Sequence, residues 1–301
     1  MRTRRELRDL YEQGVNITQL LREERGLDRN SDEIIEIAYD LQSGSYIAAM
    51  EKEGHAKHNK DYTSEIAKVI LSLCRPTSIL EAGVGEATTL SGVVRQLGGD
   101  SNSFGFDLSW SRVACARSWL QRQGVFGAKL CTGNLFHIPF ADDSVDLVYT
   151  SHSIEPNGGN EERIVRELFR VARRYLILLE PGYELASDEA KKRMDSHGYC
   201  KNLSGVAESC GYNVLEHRLF PFVSNPLNPT AITIIKKSVE EKAPPSHVFA
   251  CPLHKTRLEE IGGVLFSRDS LVAYPVIGGI PCLRIENGVV ASKFADFAAG
   301  L

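Results

Sequence analysis

The sequence predicts an α/β fold built on a parallel β-sheet, with a helical segment before it and a small β domain after it. Residues 78–97 indicate a short apolar strand, a glycine turn and a helix, and residues 101–124 repeat the strand–helix order. The chain of 301 residues is long enough for about two domains. Its 43% hydrophobic and 25% charged residues are typical of a globular protein.

Composition and charge exclude several classes of protein. The formal net charge is −4, which gives no indication of a nucleic-acid partner. No apolar run approaches the roughly 18 residues that would span a bilayer, and the basic start MRTRRELRDL has no apolar segment behind it, so no secretory signal is expected. The seven cysteines form no C-x-x-C pair, which favours free thiols in a reducing compartment. We therefore expect a cytoplasmic protein without a membrane segment.

Residues 1–60 are expected to form a helical cap, because their apolar residues recur at helical spacing. The helical runs end at glycines, namely Gly14, Gly26, Gly44 and Gly54. His55 and His58 form an H-x-x-H motif. No further ligand is near these histidines, so a solvated loop is favoured over a metal site.

The glycine turn at residues 81–85, EAGVG, is a candidate nucleotide cradle. Glycines let a backbone approach a ligand, and the free N–H groups of a helix N-terminus favour its anionic end. The pattern is G-x-G-x-x-T, with Thr88 where a dinucleotide fingerprint has Gly or Ala. Glu81 precedes the first glycine by two residues and suits a ligand with an ammonium and a carboxylate better than a pyrophosphate. The turn alone leaves S-adenosylmethionine (SAM), NAD and a plain structural turn open.

A second motif favours SAM. The glycine turn resembles motif I of the class I SAM-dependent methyltransferases, and residues 133–156, GNLFHIPFADDSVDLVYTSHSIEP, resemble the family's run G-D-x-x-x-L-P-F-x-x-x-S-F-D-x-V-x-S-x-x-x-L-E-H, as in its type 11 and type 25 members. A dehydrogenase does not require this run. The resemblance implies a seven-stranded Rossmann-like sheet over residues 61–238, with SAM at the carboxyl ends of the parallel strands. Residues 1–60 would then be a lid over the cofactor or a purely structural extension.

The later elements agree with such a sheet. VDLVYT at residues 145–150 is expected as the fourth parallel strand, and EERIVRELFRVARR at 161–174 as an amphipathic helix. YLILLEPGYE at 175–184 is fully apolar at its start, as a central fifth strand would be. Residues 211–220 and 229–237 match the antiparallel sixth and seventh strands that the family's sheet contains.

The resemblance also implies cofactor contacts. Asp107 ends the second strand 24 residues after Gly83, where a carboxylate accepts hydrogen bonds from the ribose hydroxyls, although an N-cap role is open too. Leu108 is expected to stack on adenine. Asn134 stands where the family usually has Asp, and its amide oxygen can still accept a bond from the adenine amino group. Tyr62 contacts the SAM carboxylate or the substrate, or only packs its helix. The full expected set is Tyr62, Glu81, Ala82, Gly83, Gly85, Thr88, Asp107, Leu108, Asn134, Leu135, Thr150 and Ser151.

Residues 150–155 are expected to pass beside the sulfonium methyl group, with His152 and Glu155 as the acid–base candidates. His152 is either a general base or a wall of the pocket. Glu155 matches the Glu of the family's E-H pair, although Pro156 replaces the His, and that Glu often supports the loop. An amine acceptor needs no dedicated base, whereas a hydroxyl acceptor benefits from one.

Residues 246–290 are expected to form the small β domain, after the charged linker SVEEKAPPS at 238–246. FACPLHKTRL and LVAYPVIGGIPCL resemble the zinc-ribbon-like proteins that activate tRNA and protein methyltransferases. Cys251 and His254 replace that family's first C-x-x-C, and Ser267 and Ser270 occupy the region of its second pair. Two soft ligands are too few for tetrahedral zinc, so a metal-free domain that serves packing or dimerisation is expected.

These observations predict a SAM-dependent methyltransferase acting on an oxygen or nitrogen atom of a small molecule, for example a sugar or a biosynthetic intermediate. The acidic balance and the helical cap favour a small acceptor. An RNA or protein acceptor is the alternative that the tail's resemblance favours, and a non-catalytic SAM-binding scaffold is the third. The expected partners are the small-molecule acceptor and a second copy of the chain in a homodimer, and neither a membrane nor nucleic acid is expected.

Overall fold

The computed structural model describes residues 2–98, 101–238 and 245–298. Most of the predicted linker, at 239–244, lies outside the described residues. The helices are α1 (Arg4–Glu12), α2 (Ile17–Arg25), α3 (Asp32–Leu41), α4 (Ser45–Ala49), α5 (Glu53–Leu73), α6 (Thr88–Gln96), α7 (Trp110–Arg122), α8 (Glu161–Val171), α9 (Asp188–His197), α10 (Leu203–Ser209) and α11 (Phe294–Ala298). The strands are β1 (Ser78–Ala82), β2 (Asn102–Asp107), β3 (Lys129–Thr132), β4 (Val145–Ser151), β5 (Ala172–Pro181), β6 (Asn213–Leu219), β7 (Thr230–Lys236), β8 (Glu259–Ile261), β9 (Val264–Ser267), β10 (Val272–Ile277), β11 (Ile280–Pro281) and β12 (Val289–Val290).

The main sheet has seven strands in the order β3-β2-β1-β4-β5-β7-β6. Strands β1 to β5 are parallel, and β7 runs antiparallel to both β5 and β6. This arrangement confirms the predicted seven-stranded α/β sheet with its two antiparallel strands. The chain continues from β1 to β2 on one side and places β4 on the other. The reversal of strand order opens a crevice at the carboxyl ends of β1 and β4, where ligands bind in open α/β sheets.

The central strands are apolar because helices cover both faces of the sheet. Successive side chains of a strand point to opposite faces, so each strand contributes to two cores. One core contains Leu80, Val148 and Leu176, and the other contains Ile79, Leu147 and Ile177. All six side chains are fully buried.

The cap has a small core of its own, formed by Leu7, Ile17, Leu21, Ile34, Ile37 and Ala38. Its later part differs from the sequence prediction. Helix α4 ends at Ala49, earlier than expected, and α5 begins at Glu53 and continues through the two histidines that were expected in a loop. No glycine or proline interrupts residues 55–73, so the helix also crosses the predicted boundary between residues 60 and 61. Between β5 and β6 the chain forms two separate helices, α9 and α10.

The predicted small β domain is an antiparallel sheet in the order β11-β10-β9-β8, with β12 pairing with β10, which we call the C-terminal sheet. It is joined to the main sheet at β3, where Cys282 pairs with Thr132 and the Leu283 amide donates to the Thr132 carbonyl at 3.2 Å. Tyr274 and Leu283 also belong to the same apolar core as Phe104. The two sheets therefore share a core.

The C-terminal sheet also reaches the cap and α7. Arg284 forms an ion pair with Glu36 of α3. The indole nitrogen of Trp110 donates to the Ile277 carbonyl at 3.2 Å, and Arg117 donates to the Gly278 carbonyl at 2.6 Å. Among the described residues, none of the helices is long and apolar enough to cross a membrane.

Candidate functional site

A cavity of about 370 Å³ lies in the crevice between β1 and β4, and we call it the first cavity. Its volume is within the range of about 300–1,000 Å³ that is usual for small-molecule sites. The predicted acid–base residues His152 and Glu155 line it. So do most of the predicted cofactor residues, namely Glu81, Gly83, Gly85, Thr88, Asp107, Leu108, Asn134, Leu135 and Ser151.

The other three predicted cofactor residues do not line the cavity, which corrects the expectation of a direct contact. Tyr62 is buried and packs its ring edge-on against Phe220 with centroids 5.2 Å apart, while its hydroxyl bonds Ser151 Oγ at 3.0 Å. Thr150 is fully buried in β4. Ala82 is also fully buried, and its carbonyl accepts a hydrogen bond from the Ser153 hydroxyl at 2.7 Å. Sequence spacing locates the end of a strand but does not show which of its side chains face the crevice.

The two glycines of the turn are required by close packing. Gly83 and Gly85 have φ angles of +75° and +52°, which favour glycine. A Cβ atom on Gly83 would lie 2.2 Å from Ser153 Cβ, and one on Gly85 would lie 2.7 Å from Arg112 Nη2. A larger residue at either position would therefore clash with Ser153 or Arg112 and displace the backbone that lines the first cavity.

Glu81 supplies a buried carboxyl group to the first cavity. The Tyr149 hydroxyl donates to its Oε2 atom at 3.0 Å. Burial raises the pKa of Glu81 to about 8, and the neighbouring Asp107 carboxylate contributes to the rise. No basic side chain of the described ranges forms an ion pair with Glu81. A cation placed beside it would favour its ionised form.

Asp107 is held in place by the backbone. Its Oδ2 atom accepts a hydrogen bond from the Gly85 amide at 2.9 Å, and its Oδ1 atom accepts one from the Ser109 amide at 3.0 Å. A carboxylate oxygen can accept two hydrogen bonds, so one acceptor position remains on each oxygen. Two adjacent hydroxyl groups of a ribose fit this arrangement.

Asn134 is arranged differently from the sequence expectation. Its Oδ1 atom already accepts a bond from the Phe136 amide at 2.8 Å, and its Nδ2 atom donates to Asp32 Oδ2 at 2.7 Å. Asp32 belongs to the cap and lines the first cavity. The class I methyltransferases, which the sequence resembles, usually have Asp at the position of Asn134. In this structure the carboxylate beside that position is supplied by Asp32.

The cap is bonded to the rim of the first cavity at two further places. The buried Glu86 carboxylate accepts hydrogen bonds from the Gly44 and Ile47 amides at 2.9 and 2.8 Å. Asp40 Oδ1 accepts a bond from the Ser109 hydroxyl at 2.6 Å. These contacts, with the Asp32 bond, hold the cap across the cavity.

Arg112 lies between the cap and the glycine turn. Only 7% of this residue is exposed. Its guanidinium carbon lies 5.1 Å from the centre of the Tyr39 ring and 4.8 Å from that of Tyr46, which are cation–π distances. Tyr39, Tyr46 and Arg112 all line the first cavity, although none of them was predicted from the sequence. No local motif signals them, because the cap meets α7 only in the folded chain.

His152 and Glu155 form a pair after β4. His152 Nδ1 and Glu155 Oε2 are 2.5 Å apart, and the other ring nitrogen lies 2.8 Å from Thr230 Oγ1. Burial opposes the charged form of each group, but their hydrogen bond and mutual attraction prevail, so the pKa of His152 is raised and that of Glu155 is lowered. With both ring nitrogens engaged, His152 is placed to orient Glu155, and the geometry does not favour it as a free base.

The turn that carries Glu155 is supported from below by Glu180. The Glu180 carboxylate is almost fully buried and accepts hydrogen bonds from the amides of Ser153, Ile154 and Glu155 at 3.1 to 3.2 Å. Burial raises the pKa of Glu180 to about 7. No local motif indicates this support, because Glu180 lies near the end of β5 whereas the turn that it supports follows β4.

Cys251 precedes the C-terminal sheet and is buried against it, with its sulfur 3.5 Å from Ser270 Oγ and 3.6 Å from the Tyr274 hydroxyl oxygen. Across residues 2–98, 101–238 and 245–298, no three His, Cys, Asp or Glu side chains are grouped as metal ligands would be.

Comparison with known proteins identifies the central part of the chain. Residues 79–174 match the family model of a methyltransferase domain. The structure resembles magnesium protoporphyrin IX methyltransferase from Synechocystis PCC 6803 with bound SAH. The two share 12% identity over 69% of this chain and 100% of that one, with a TM-score of 0.54. The same enzyme with bound SAM gives 14% identity, 70% and 99% coverage, and a TM-score of 0.51. A candidate O-methyltransferase from Nostoc punctiforme PCC 73102 gives 14% identity, 66% and 60% coverage, and a TM-score of 0.50.

Proposed function

We propose that this chain, a SAM-dependent methyltransferase with its methyltransferase domain at residues 79–174, methylates an oxygen or nitrogen atom of a small molecule. The choice of a small acceptor rests on the hydrogen bonds that join the cap to the rim of the first cavity. Asp32, Asp40 and Glu86 each join the cap to the opposite rim of the first cavity. A covered cavity admits a small molecule more readily than a folded RNA or protein surface.

The residues of the first cavity fit SAM. Asp107 has two acceptor positions for the ribose hydroxyls. Glu81 is a buried carboxyl group that a ligand ammonium would ionise. Asp32, held by Asn134, offers an acceptor for the adenine amino group. SAM supplies an electrophilic methyl group, and the remaining task of the protein is to orient the acceptor and exclude water.

The pair of Glu155 and His152 would act on the acceptor. In the transfer, an acceptor oxygen or nitrogen bonds to the methyl carbon while the carbon–sulfur bond breaks and sulfur keeps the electron pair. Glu155 is ionised beside His152 and accepts the proton that the acceptor loses, before passing it to water. His152 orients this carboxylate, and Glu180 fixes the turn that carries it.

The test is incubation with SAM labelled in its methyl group and with separate pools of metabolites, RNA and protein. We expect label in the metabolite pool. Label only in RNA or protein would refute the small acceptor. Tight binding of SAM with no label in any pool would support a non-catalytic scaffold instead.

A further inference from the structure

A second and larger opening lies beside the first cavity. This second cleft has a volume of about 790 Å³ and lies between the cap helices α2 and α3 and the end of α9. Ile35, Tyr39 and Pro156 line both the first cavity and the second cleft. The two spaces therefore meet at these three side chains.

The acid–base pair lies at this junction. Glu155 directly precedes Pro156 and lines the first cavity. Tyr199 lines the second cleft, and its hydroxyl lies beside the Glu155 carboxylate. A molecule lying in the second cleft would thus present its end to Glu155, while the first cavity holds the methyl donor. Resting on the proposed function, we infer that the second cleft is the acceptor site and that it takes a neutral, hydroxyl-rich small molecule.

Two asparagine side-chain oxygens support the inference that the acceptor molecule carries hydroxyl groups. Asn30 Nδ2 donates to the Pro156 carbonyl at 3.4 Å, and Asn228 Nδ2 donates to Glu155 Oε2 at 3.1 Å. Carbonyl and carboxylate oxygens only accept hydrogen bonds, so these contacts fix which end of each amide is nitrogen. The remaining oxygens are Asn30 Oδ1, whose residue lines the second cleft, and Asn228 Oδ1, whose residue lines the first cavity beside Glu155. Both are buried and accept no hydrogen bond from the described residues. A buried acceptor without a donor is unfavourable, and hydroxyl groups reaching the turn at residues 155–156 would supply the missing donors.

The rest of the lining fits a neutral polyol. Amide side chains both donate and accept, as a hydroxyl group does, and the cleft has four of them, at Asn16, Gln19, Asn30 and Gln42. Aromatic rings that can cover the apolar face of a sugar-like ring also line it, at Tyr11, Tyr39, His197 and Tyr199. The charged side chains of the lining are Arg22, Glu23 and Asp28, so no cluster of basic groups is present to select a phosphate or a carboxylate.

The test uses the protein loaded with SAH and four probes, with binding measured by saturation-transfer NMR. The probes are myo-inositol and methyl β-glucoside, which are neutral and hydroxyl-rich, glucose 6-phosphate, which is charged, and catechol, which is planar. We expect the two neutral polyols to bind and to compete with each other. Binding of only catechol or only the phosphate, or of no probe, would overturn the inference.

Single-residue variants distinguish polyol binding in the second cleft from SAH binding in the first cavity. Asn30→Leu should weaken polyol binding about tenfold, because a buried hydrogen bond is lost, and should leave the affinity for SAH within about twofold of wild type. Asn213→Leu, on the edge strand β6, is the matched control and should change neither affinity. If Asn30→Leu does not fold, Leu27→Trp narrows the cleft from an exposed position and should also reduce polyol binding. Unchanged polyol binding in the folded variant would refute the acceptor site, whereas failure of the wild type to bind SAH would refute the proposed function itself.

Discussion

The protonation state of Glu81 leads to a quantitative prediction about cofactor binding. Its pKa of about 8 means that the carboxyl group is mostly neutral at pH 7 in the ligand-free protein. The ammonium of SAM would interact favourably only with the ionised form. If only that form binds SAM, the apparent Kd is the intrinsic Kd divided by the ionised fraction, so it should fall about ninefold from pH 6 to pH 7. Binding at pH 7 should also release about 0.9 proton for each SAM bound.

Calorimetry in two buffers of different ionisation enthalpy measures this proton release directly. Glu81→Gln should abolish both the proton release and the pH dependence of the Kd. A matched ligand is 5′-methylthioadenosine, which lacks the ammonium and carboxylate groups and should bind with little pH dependence. Glu180→Gln controls for the other buried carboxyl group, whose pKa is about 7, and the pH dependence should persist in that variant.

The raised pKa of Glu81 also affects the stability of the ligand-free protein. A carboxyl group whose pKa is raised on folding stabilises the folded state below its unfolded pKa, and this contribution is lost as the pH rises through the folded value. For Glu81 the loss extends from about pH 4.5 to about pH 8. Glu81→Gln should therefore flatten the fall of Tm over this range. A flat SAM affinity together with no proton release in the wild type would refute the reasoning about Glu81.

Three further predictions concern the first cavity. Asp107→Ala should weaken SAM binding at least tenfold by calorimetry, because charge-assisted bonds to the ribose are lost, and an unchanged Kd would contradict the ribose role. Asp32→Ala should weaken SAM binding about fivefold, while Asp28→Ala, also in the cap, should not, and equal effects would argue against an adenine contact. Glu155→Gln should lower kcat about 100-fold with a hydroxyl acceptor and leave the SAH affinity unchanged, and a normal kcat would exclude it as the proton acceptor.

The sequence predicts the sheet well because its signals are local. The apolar run before residue 83, the two glycines and the following helix lie within one short segment, and the confirmed strand order follows from such units repeated along the chain. Asp107 lies in the first cavity for the same reason, since it ends a strand whose carboxyl end faces the crevice.

The sequence does not predict contacts between distant segments. Asp32 and Asn134 are 102 positions apart, and nothing near either residue indicates their hydrogen bond. Tyr62 illustrates a different limit, because its sequence position left both a ligand contact and a packing role open, and in the structure its ring packs on Phe220. Which face of a helix meets the cavity depends on the packing of the whole domain.

The pairing of Cys282 with Thr132 has a consequence for solubility. Strand β3 is the outermost strand on its side of the main sheet, and an uncovered outer strand invites other chains to add to it. A chain shortened after residue 245 would lose this cover and uncover Phe104 and Phe140 as well. We therefore expect a chain shortened at this point to aggregate more readily than the full chain, because the outer edge of β3 would be open to other chains.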